Sequence, residues 1–258
     1  MADKLATPKA THAATQAVSH AATFSPLYQQ IKALLTGSLE AGEWKPGELI
    51  PSEFELAARY KVSQGTVRKA IDELAAENLL VRRQGRGTFV ATHIEGRTQF
   101  RFLRLTPVDG PPRYPDSRIL ECRRARATAE TARLLDLKAG ESTVLIRRLL
   151  SDGGAPFVLD EIWLPGMLFK GLTAARLTES HVPLYSLFEN EFGTKMIRAD
   201  EKLRAVAADA KTAEVLKVPR GTPLLAVDRV TYTYGDKPVE VRRGLYSTRD
   251  HFYKNELN

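Results

Sequence analysis

The sequence predicts an α+β protein of two domains: a small helical domain ending in a β-hairpin, then a larger antiparallel sheet with helices. Hydrophobic residues recur at helical spacing from Leu27 and give way near Leu79 to two β-prone segments around a Gly-rich turn. The region after residue 94 contains two similar stretches, 81 residues apart, each with a helix followed by a hairpin. The length, 258 residues, suits one large domain or two ordinary ones.

Composition sets the expected boundaries. Residues 1–23 are rich in Ala and Thr without a hydrophobic period, which predicts a disordered tail. We expect the first domain over residues 24–93, a linker with the first strand of the second domain over 94–107, and the second domain over 108–258. The linker contains an alternating segment, 100–105, that is typical of a strand.

The first helix is expected to begin after Pro26 and to end near Gly42. Its apolar positions are Leu27, Ile31, Leu34, Leu35 and Leu39. A second helix should begin at Ser52, because Ser52 and Glu55 have the spacing of a capping box.

The third helix is expected over residues 64–77, with Ser63 as its N-cap. Val67, Ile71 and Leu74 would form its buried stripe. A hairpin should follow, turning at residues 84–87. Three helices and a hairpin within residues 24–93 is the plan of a winged helix-turn-helix.

The outward face of the third helix is suited to reading DNA. With Val67 and Ile71 inward, Gln64 and Arg68 share the opposite face near the helix start. Arg matches the two acceptors of guanine, and Gln matches the donor and acceptor of adenine. Hydroxyls at helix starts and a Gly-rich arginine turn suit phosphates and close approach to the duplex. The candidate DNA-contacting residues are Ser52, Ser63, Gln64, Thr66, Arg68, Arg86, Gly87 and Thr88.

Net charge contributes little to this prediction. The chain carries +7 with a pI near 9.5, which suits a polyanionic partner. Residues 24–93, however, contain nine basic and eight acidic residues. The DNA-binding prediction therefore depends on where the basic residues are placed.

Residues 26–90 resemble the DNA-binding domain of the GntR family of bacterial transcription regulators. The stretches that carry the resemblance are Pro26-Leu27-Tyr28, Leu49-Ile50-Pro51-Ser52-Glu53, Val62-Ser63, Thr66-Val67-Arg68 and Gly85-Arg86-Gly87-Thr88-Phe89-Val90. Gln64 departs from the pattern, because the family commonly has Arg there. The resemblance implies a homodimer on a double-stranded, near-palindromic operator.

The two similar stretches place charges at equivalent positions. Arg148 and Arg229 correspond, while Asp160 and Glu240 lie on the returning strands. Asp160 lies four residues after Pro156, and Glu240 two after Pro238. Because side chains alternate along a strand, each acid shares a face with the proline that opens its strand. If that face is inward, the four charges meet inside. They would form structural ion pairs, Arg148–Asp160 and Arg229–Glu240, or a pocket for a polar anionic ligand, and the residues alone leave both open.

The region also resembles the UTRA ligand-sensing domain of HutC-type GntR regulators, a fold similar to chorismate lyase. The matching segments are Arg148, the strand from Pro156 to Pro165 that contains Asp160, and Pro238-Val239-Glu240 with Tyr246. The resemblance implies effector binding by Arg148, Asp160, Glu240 and Tyr246, and an effector that is a sugar phosphate, an amino sugar or a small carboxylate. Asp160 often is Glu in the family, and Pro183 often is Ser.

Other function classes find little support. We find no catalytic constellation and no metal-ligand cluster, and we expect no cofactor; His181 and His251 are isolated. A single cysteine, Cys122, and the lack of long apolar runs favour a cytoplasmic protein without a membrane span. We therefore expect a sequence-specific DNA-binding regulator, a repressor released or retuned by a small polar metabolite. The alternatives are an enzyme using the lyase-like fold and an architectural DNA-binding protein without an effector.

Overall fold

The fold is given by a computed structural model. It describes residues 25–92, 103–111, 114–180 and 182–255. The predicted tail, residues 1–23, and residues 93–102, which hold most of the predicted linker and half of its predicted strand, lie outside the described residues.

The N-terminal domain has the predicted three helices and hairpin. Its elements are α1 (Leu27–Glu40), α2 (Glu53–Tyr60), α3 (Gln64–Ala76), β1 (Leu80–Arg83) and β2 (Gly87–Val90). Both expected helix caps form. The Ser52 side chain accepts from the Glu55 amide while the Glu55 carboxylate accepts from Ser52, and Ser63 accepts from the Thr66 amide.

The core of this domain lies where α1 packs on α3. Ile31, Leu35 and Leu39 are buried on α1, opposite the predicted stripe of α3. Leu27 and Leu34, two of the apolar positions that indicated α1, are not part of this core, since they are 49% and 52% exposed. Leu34 lies about 100° round the helix from Leu35, and Leu27 is the first residue of α1, so both are off the narrow seam.

The C-terminal domain is built on one six-stranded antiparallel sheet in the order β4-β5-β6-β9-β8-β7. Its strands are β4 (Asp116–Arg126), β5 (Ser142–Asp152), β6 (Ala155–Pro165), β7 (Arg198–Ala207), β8 (Pro223–Tyr232) and β9 (Pro238–Tyr246). Its helices are α4 (Ala129–Leu134), α5 (Ala174–Glu179), α6 (Leu184–Phe192) and α7 (Ala210–Leu216), with a 3-10 turn at Tyr234–Asp236. One face packs on α5 and α6, and the other on α7.

The predicted internal repeat is larger than the sequence indicated. Each copy is a strand, a helix and a hairpin, β4-α4-β5-β6 and β7-α7-β8-β9, and the copies join where β6 pairs with β9. The sequence analysis missed β4 and β7. Both are edge strands with mostly exposed residues, so they lack the alternation that marks a half-buried strand.

The expected first strand of this domain does not belong to the main sheet. Residues Leu105–Pro107 form β3, which pairs with β10 (His251–Tyr253) in a separate two-stranded ribbon. This ribbon covers an apolar cluster around Val158 and Tyr246.

The two domains touch through α6 and the segment after it. Thr92 Oγ1 donates to Glu189 Oε2 at 3.0 Å, and Lys195 Nζ donates to the Ala91 carbonyl. Tyr234 packs against the N-terminal core. The chain leaving the hairpin is therefore held by α6, which lies on the main sheet.

Candidate functional site

The outward face of α3 presents the two predicted base-reading side chains together. Gln64 and Arg68 lie one helical turn apart at the start of α3, and the Arg68 side chain is 55% exposed. Arg68 Nε donates to Glu53 Oε2 at 2.9 Å, and Gln64 Nε2 donates to the same oxygen at 3.3 Å. Glu53 Oε1 accepts from Arg82 at 2.9 Å. One carboxylate on α2 thus orients two side chains of the recognition helix and one of the hairpin.

The sequence analysis missed Glu53. Its position in Ser52-Glu53-Phe54-Glu55 indicated only an acidic first turn of α2. Its role depends on how α2 crosses α3, which no local pattern reports.

Five of the eight predicted DNA-contacting residues line a single groove of about 930 Å³ between α2, α3 and the hairpin turn. They are Ser52, Gln64, Arg86, Gly87 and Thr88. Gly87 has φ +102°, and a Cβ there would lie 2.7 Å from Leu49 Cδ1. Glycine is favoured at residue 87 because of this left-handed φ, and a side chain there would also have to push the exposed Leu49 side chain aside.

The predicted phosphate-binding hydroxyls are already occupied. Ser63 Oγ lies 2.8 Å from Thr66 Oγ1 and caps α3. Ser52 Oγ donates to Glu55 Oε2 at 2.7 Å. These hydrogen bonds from the Ser52 hydroxyl and amide lower the pKa of Glu55 below its ordinary value. A phosphate at Ser52 would have to displace a carboxylate.

The groove also has an acidic lining. Four carboxylates contribute to it: Glu43, Glu48, Glu53 and Glu55. These carboxylates repel phosphates, whereas the exposed Arg86 in the lining and the exposed Arg68 beside Glu53 attract them. This arrangement favours contact of the duplex with the rim, along α3 and the hairpin turn.

In the C-terminal domain, a row of charged residues crosses the main sheet on the face that packs on α6. Strand register places Arg148 opposite Asp160, Arg229 opposite Arg242, and Glu201 opposite Arg229. Apolar clusters lie on both sides of the row. The expected inward convergence of charges is therefore present.

Arg242, which the sequence analysis did not select, is the centre of this network. Its Nη1 donates to Asp160 Oδ2 at 3.2 Å, and its Nε and Nη2 donate to Glu240 at 3.0 Å each. Asp160 Oδ2 also accepts from Arg148 Nε at 2.9 Å. The Tyr185 hydroxyl of α6 donates to Glu240 at 2.8 Å.

The pairing proposed for the second copy is not found. Arg229 binds Glu201 of β7 at 2.5 Å, and Glu240 binds Arg242 instead. The physical reason is geometric: Glu201 stands directly across the β7–β8 ladder from Arg229, and β7 was not predicted. In the first copy, Arg148 does pair with Asp160.

A cavity of about 640 Å³ opens beside this row, between the start of β4, α5 and the start of α6. Arg148 is the one predicted effector-binding residue in its lining. Asp160, Glu240 and Tyr246 are 1%, 0% and 1% exposed and lie behind it. Pro183 borders the cavity, at the N-terminal end of α6.

The pKa shifts of Arg148 and Arg242 have opposite directions. Burial, and next the nearby Arg242, lower the pKa of Arg148 below its ordinary value. Burial opposes the charge of Arg242 as well, but Glu240 and then Tyr185 and Asp160 raise its pKa. Asp160 is itself held below its ordinary pKa by Arg242 and Arg148 against the effect of burial. Of these two arginines, Arg148 is the one whose surroundings favour its positive charge less.

Gly244 makes the network possible. A Cβ at this position would lie 2.3 Å from Tyr246 Cε1 and 3.0 Å from Asp160 Oδ1. The Tyr246 ring therefore packs over a glycine. Asp160 Oδ1 is buried there without a hydrogen-bond partner among the described residues.

The described residues hold no group of three or more His, Cys, Asp or Glu arranged to bind a metal. None of the described helices has the length and hydropathy to cross a membrane.

Comparisons with known proteins agree with the two kinds of domain. Residues 27–90 match the family model for bacterial regulatory proteins of the gntR family, and residues 112–251 match the UTRA domain. HTH-type transcriptional repressor NagR of Bacillus subtilis is 29% identical over 228 residues, covering 86% of this chain and 90% of the relative. HTH-type transcriptional regulator SmoD of Agrobacterium fabrum is 28% identical over 227 residues, covering 87% and 93%.

Solved structures match as well. The ligand-binding domain of a GntR-family transcriptional regulator from Bordetella bronchiseptica is 59% identical, with a TM-score of 0.61. The match covers 62% of this chain and 99% of that domain. PhnF from Mycobacterium smegmatis, at 24% identity and a TM-score of 0.52, covers 88% of this chain and 99% of its own and shares the fold.

Proposed function

Because the chain belongs to the GntR family of bacterial regulatory proteins and carries a UTRA domain, we propose that it is a repressor that a small anionic effector releases from its operator. The chain is a DNA-binding transcription regulator with an effector domain, and not an enzyme. Two relatives, NagR and SmoD, are named as a transcriptional repressor and a transcriptional regulator. The proposal for this chain concerns the sign of regulation, the contacts and the effector.

The observation that supports the DNA contact most directly is the shared hydrogen bonding of Gln64 and Arg68 to Glu53 at the start of α3. This contact orients both side chains before DNA arrives, which reduces the entropy lost on binding. Arg68 would read a guanine and Gln64 an adenine in the major groove, while Arg86 at the hairpin turn contacts the backbone or the minor groove. The protein acts in the cytoplasm as a homodimer on two half-sites.

The effector would bind in the cavity at Arg148. Arg148 lines this cavity, is nearly buried, and has less compensation for its charge than Arg242. An anion placed there supplies the missing compensation, because a charge-assisted hydrogen bond strengthens away from water.

Helix α6 connects this cavity to the DNA-binding domain. Its first residue, Leu184, lines the cavity, and Tyr185 binds the charged row at Glu240. Its sixth residue, Glu189, binds Thr92 at the exit of the hairpin. A shift of α6 on ligand binding changes the position of the winged helix, and the effector acts to the extent that it binds one arrangement better. The linker that we predict over residues 94–107 is a second connection between the two domains.

The experiment begins by selecting high-affinity duplexes from a random library with the full-length protein. We expect an inverted-repeat sequence, with affinity that falls steeply as salt rises. Arg68→Ala should weaken operator binding by about 1–3 kcal/mol and relax the preference at one base position per half-site. Lys211→Ala, which removes an exposed charge on α7, is the matched control and should bind as wild type does.

Equal affinity for selected and random duplexes would overturn the proposal. So would an Arg68→Ala variant whose operator affinity and base preference match those of Lys211→Ala. The sign of regulation is read by placing the selected operator upstream of a reporter gene, where a repressor lowers expression.

A further inference from the structure

We infer that the effector cavity is built for a single negative head group on an apolar body, such as an aryl or alkyl carboxylate, and that Arg242 is the residue that excludes sugar-like ligands. This inference rests on the proposed effector function and narrows the ligand class of the same cavity. Three features support it: the apolar inner wall of the cavity, the nearly buried Arg148 in its lining, and the pairing of Asp160 and Glu240 with Arg242 behind the cavity.

Most of the residues that line the cavity have apolar side chains, since ten of the sixteen are aliphatic, aromatic or proline. Buried Leu177 and Leu187 form part of the inner wall, with Ile119 and Leu150 from the sheet. The hydroxyl-bearing residues of the lining are exposed or half-buried and stand toward the mouth: Tyr114, Ser117, Thr178 and Ser180. Sugar hydroxyls placed against the inner wall would lose their hydration without gaining partners there. A hydrocarbon body gains free energy from the same walls.

The cation at the inner end is Arg148. Its side chain is 11% exposed and is fastened to Asp160 through Nε and Nη2, at 2.9 Å each. This contact fixes the plane of the guanidinium group, which binds a carboxylate through two parallel hydrogen bonds. The other charged groups in the lining, Asp116 and Arg118, are exposed at the start of β4, so they stand at the mouth.

The start of α6 strengthens this preference. Pro183 and Leu184 border the cavity, and α6 has no side-chain cap at its N-terminus. The first amides of a helix carry partial positive charge, so they favour an anion placed near them. A proline at the cap position adds no hydroxyl that would suit a polyol.

Arg242 removes the acceptors that a sugar or an amino sugar would need. Asp160 and Glu240 both bind Arg242, and neither lines the cavity. Arg242 is itself 6% exposed. The two carboxylates are therefore neutralised inside the sheet rather than presented to the ligand. Without the guanidinium of Arg242, Asp160 would keep only Arg148 and Glu240 only neutral donors such as Tyr185, so both carboxylates would attract a cationic group of a ligand.

The test measures ligand binding by the full-length protein with calorimetry and thermal shift. The probes are 3-phenylpropanoate, its neutral amide 3-phenylpropanamide, octanoate, glucosamine 6-phosphate and inorganic phosphate. We expect the carboxylates to bind and to raise the melting temperature, with the amide at least about tenfold weaker because it lacks the charge. Glucosamine 6-phosphate and inorganic phosphate should bind more weakly than 3-phenylpropanoate.

Two variants separate the buried cation from the exposed one. Arg148→Gln should weaken 3-phenylpropanoate by about tenfold or more and leave the amide unchanged. Arg133→Gln removes an exposed arginine of α4 that does not line the cavity, and it should leave both affinities close to wild type. Arg242→Gln should gain affinity for glucosamine 6-phosphate, whose ammonium group finds the released carboxylates, while 3-phenylpropanoate binding persists.

Several results would overturn the inference. Tighter binding of glucosamine 6-phosphate than of every carboxylate in wild type would refute the ligand class, and so would the absence of any carboxylate binding at millimolar concentration. Equal binding of amide and carboxylate would refute the role of Arg148. A folded Arg242→Gln variant with no gain for the amino sugar would refute the role of Arg242. None of these measurements uses DNA, so failure of the regulator proposal shows separately in the operator selection.

Discussion

Replacing Glu53 by glutamine should reduce the DNA specificity of the protein without unfolding it. Glu53 is 17% exposed and accepts hydrogen bonds from Gln64, Arg68 and Arg82. The two arginine partners are 55% and 41% exposed, so each ion pair contributes at most about 1 kcal/mol to stability. The glutamine side chain keeps one acceptor, and the expected loss of folding free energy is about 1 kcal/mol.

The effect on DNA has two parts of opposite sign. Loss of one negative charge near the duplex raises affinity for any sequence, an effect that salt screens. Loss of the contact to Arg68 frees a side chain that would otherwise be oriented for one base, and a good bidentate base contact contributes about 1–3 kcal/mol of discrimination. We expect the ratio of operator affinity to random-DNA affinity to fall by about tenfold, or 1.4 kcal/mol.

Fluorescence anisotropy with the selected operator and a scrambled duplex, at low and moderate salt, measures both parts. Glu48→Gln is the matched control, because Glu48 lines the same groove and binds the Lys45 amide instead of α3. That control should raise both affinities alike and keep their ratio. The reasoning fails if Glu53→Gln keeps the wild-type ratio, or if Glu48→Gln loses it equally.

Three further changes test the C-terminal domain and its coupling. Gly244→Ala places a Cβ 2.3 Å from Tyr246, and overpacking of this kind should lower the free energy of unfolding by about 2 kcal/mol in chemical denaturation; unchanged stability would contradict the contact. Asp160 has a lowered pKa in the folded state. Its ionised form therefore adds to the free energy of unfolding above the unfolded-state pKa of about 3.9, and this contribution disappears as the pH falls from there through the folded-state pKa. Asp160→Asn should therefore lower the free energy of unfolding by about 3 kcal/mol at neutral pH, and by less as the pH falls. A variant whose stability falls with pH in parallel with the wild type would refute this reasoning. Thr92→Val removes the donor to Glu189. A bound carboxylate should then change operator affinity less than in the wild type, while the affinity of the cavity for the carboxylate stays close to wild type. Undiminished release from DNA would show that α6 does not carry the signal.

Much of the N-terminal domain could be read from local sequence. Helix starts at Ser52 and Ser63 follow from side chains that bond amides three residues ahead. The stripe of α3 follows from the helical period, which also sends Gln64 and Arg68 outward. Leu27 and Leu34 show the limit of the same reasoning. A period marks apolar positions, but the width of the buried seam depends on the partner helix.

The C-terminal domain was predictable in outline because it repeats. Two hairpins with matching helices indicated an antiparallel duplicate, and Arg148 and Asp160 were correctly expected to meet. The edge strands β4 and β7 carried no hydrophobic alternation. Without β7, the partner of Arg229 was assigned to the nearest acid in the pattern rather than to Glu201 across the ladder.

The sequence by itself determined the two-domain α+β plan, the capped recognition helix and the charged residues of the repeats, since these depend on spacings of a few residues along one chain. Only the tertiary structure showed that Glu53 orients Gln64 and Arg68, and that Arg242 takes Asp160 and Glu240 away from the cavity. Both effects join side chains on different elements. Which charge neutralises which depends on strand register and helix crossing, and those are decided by packing of the whole domain.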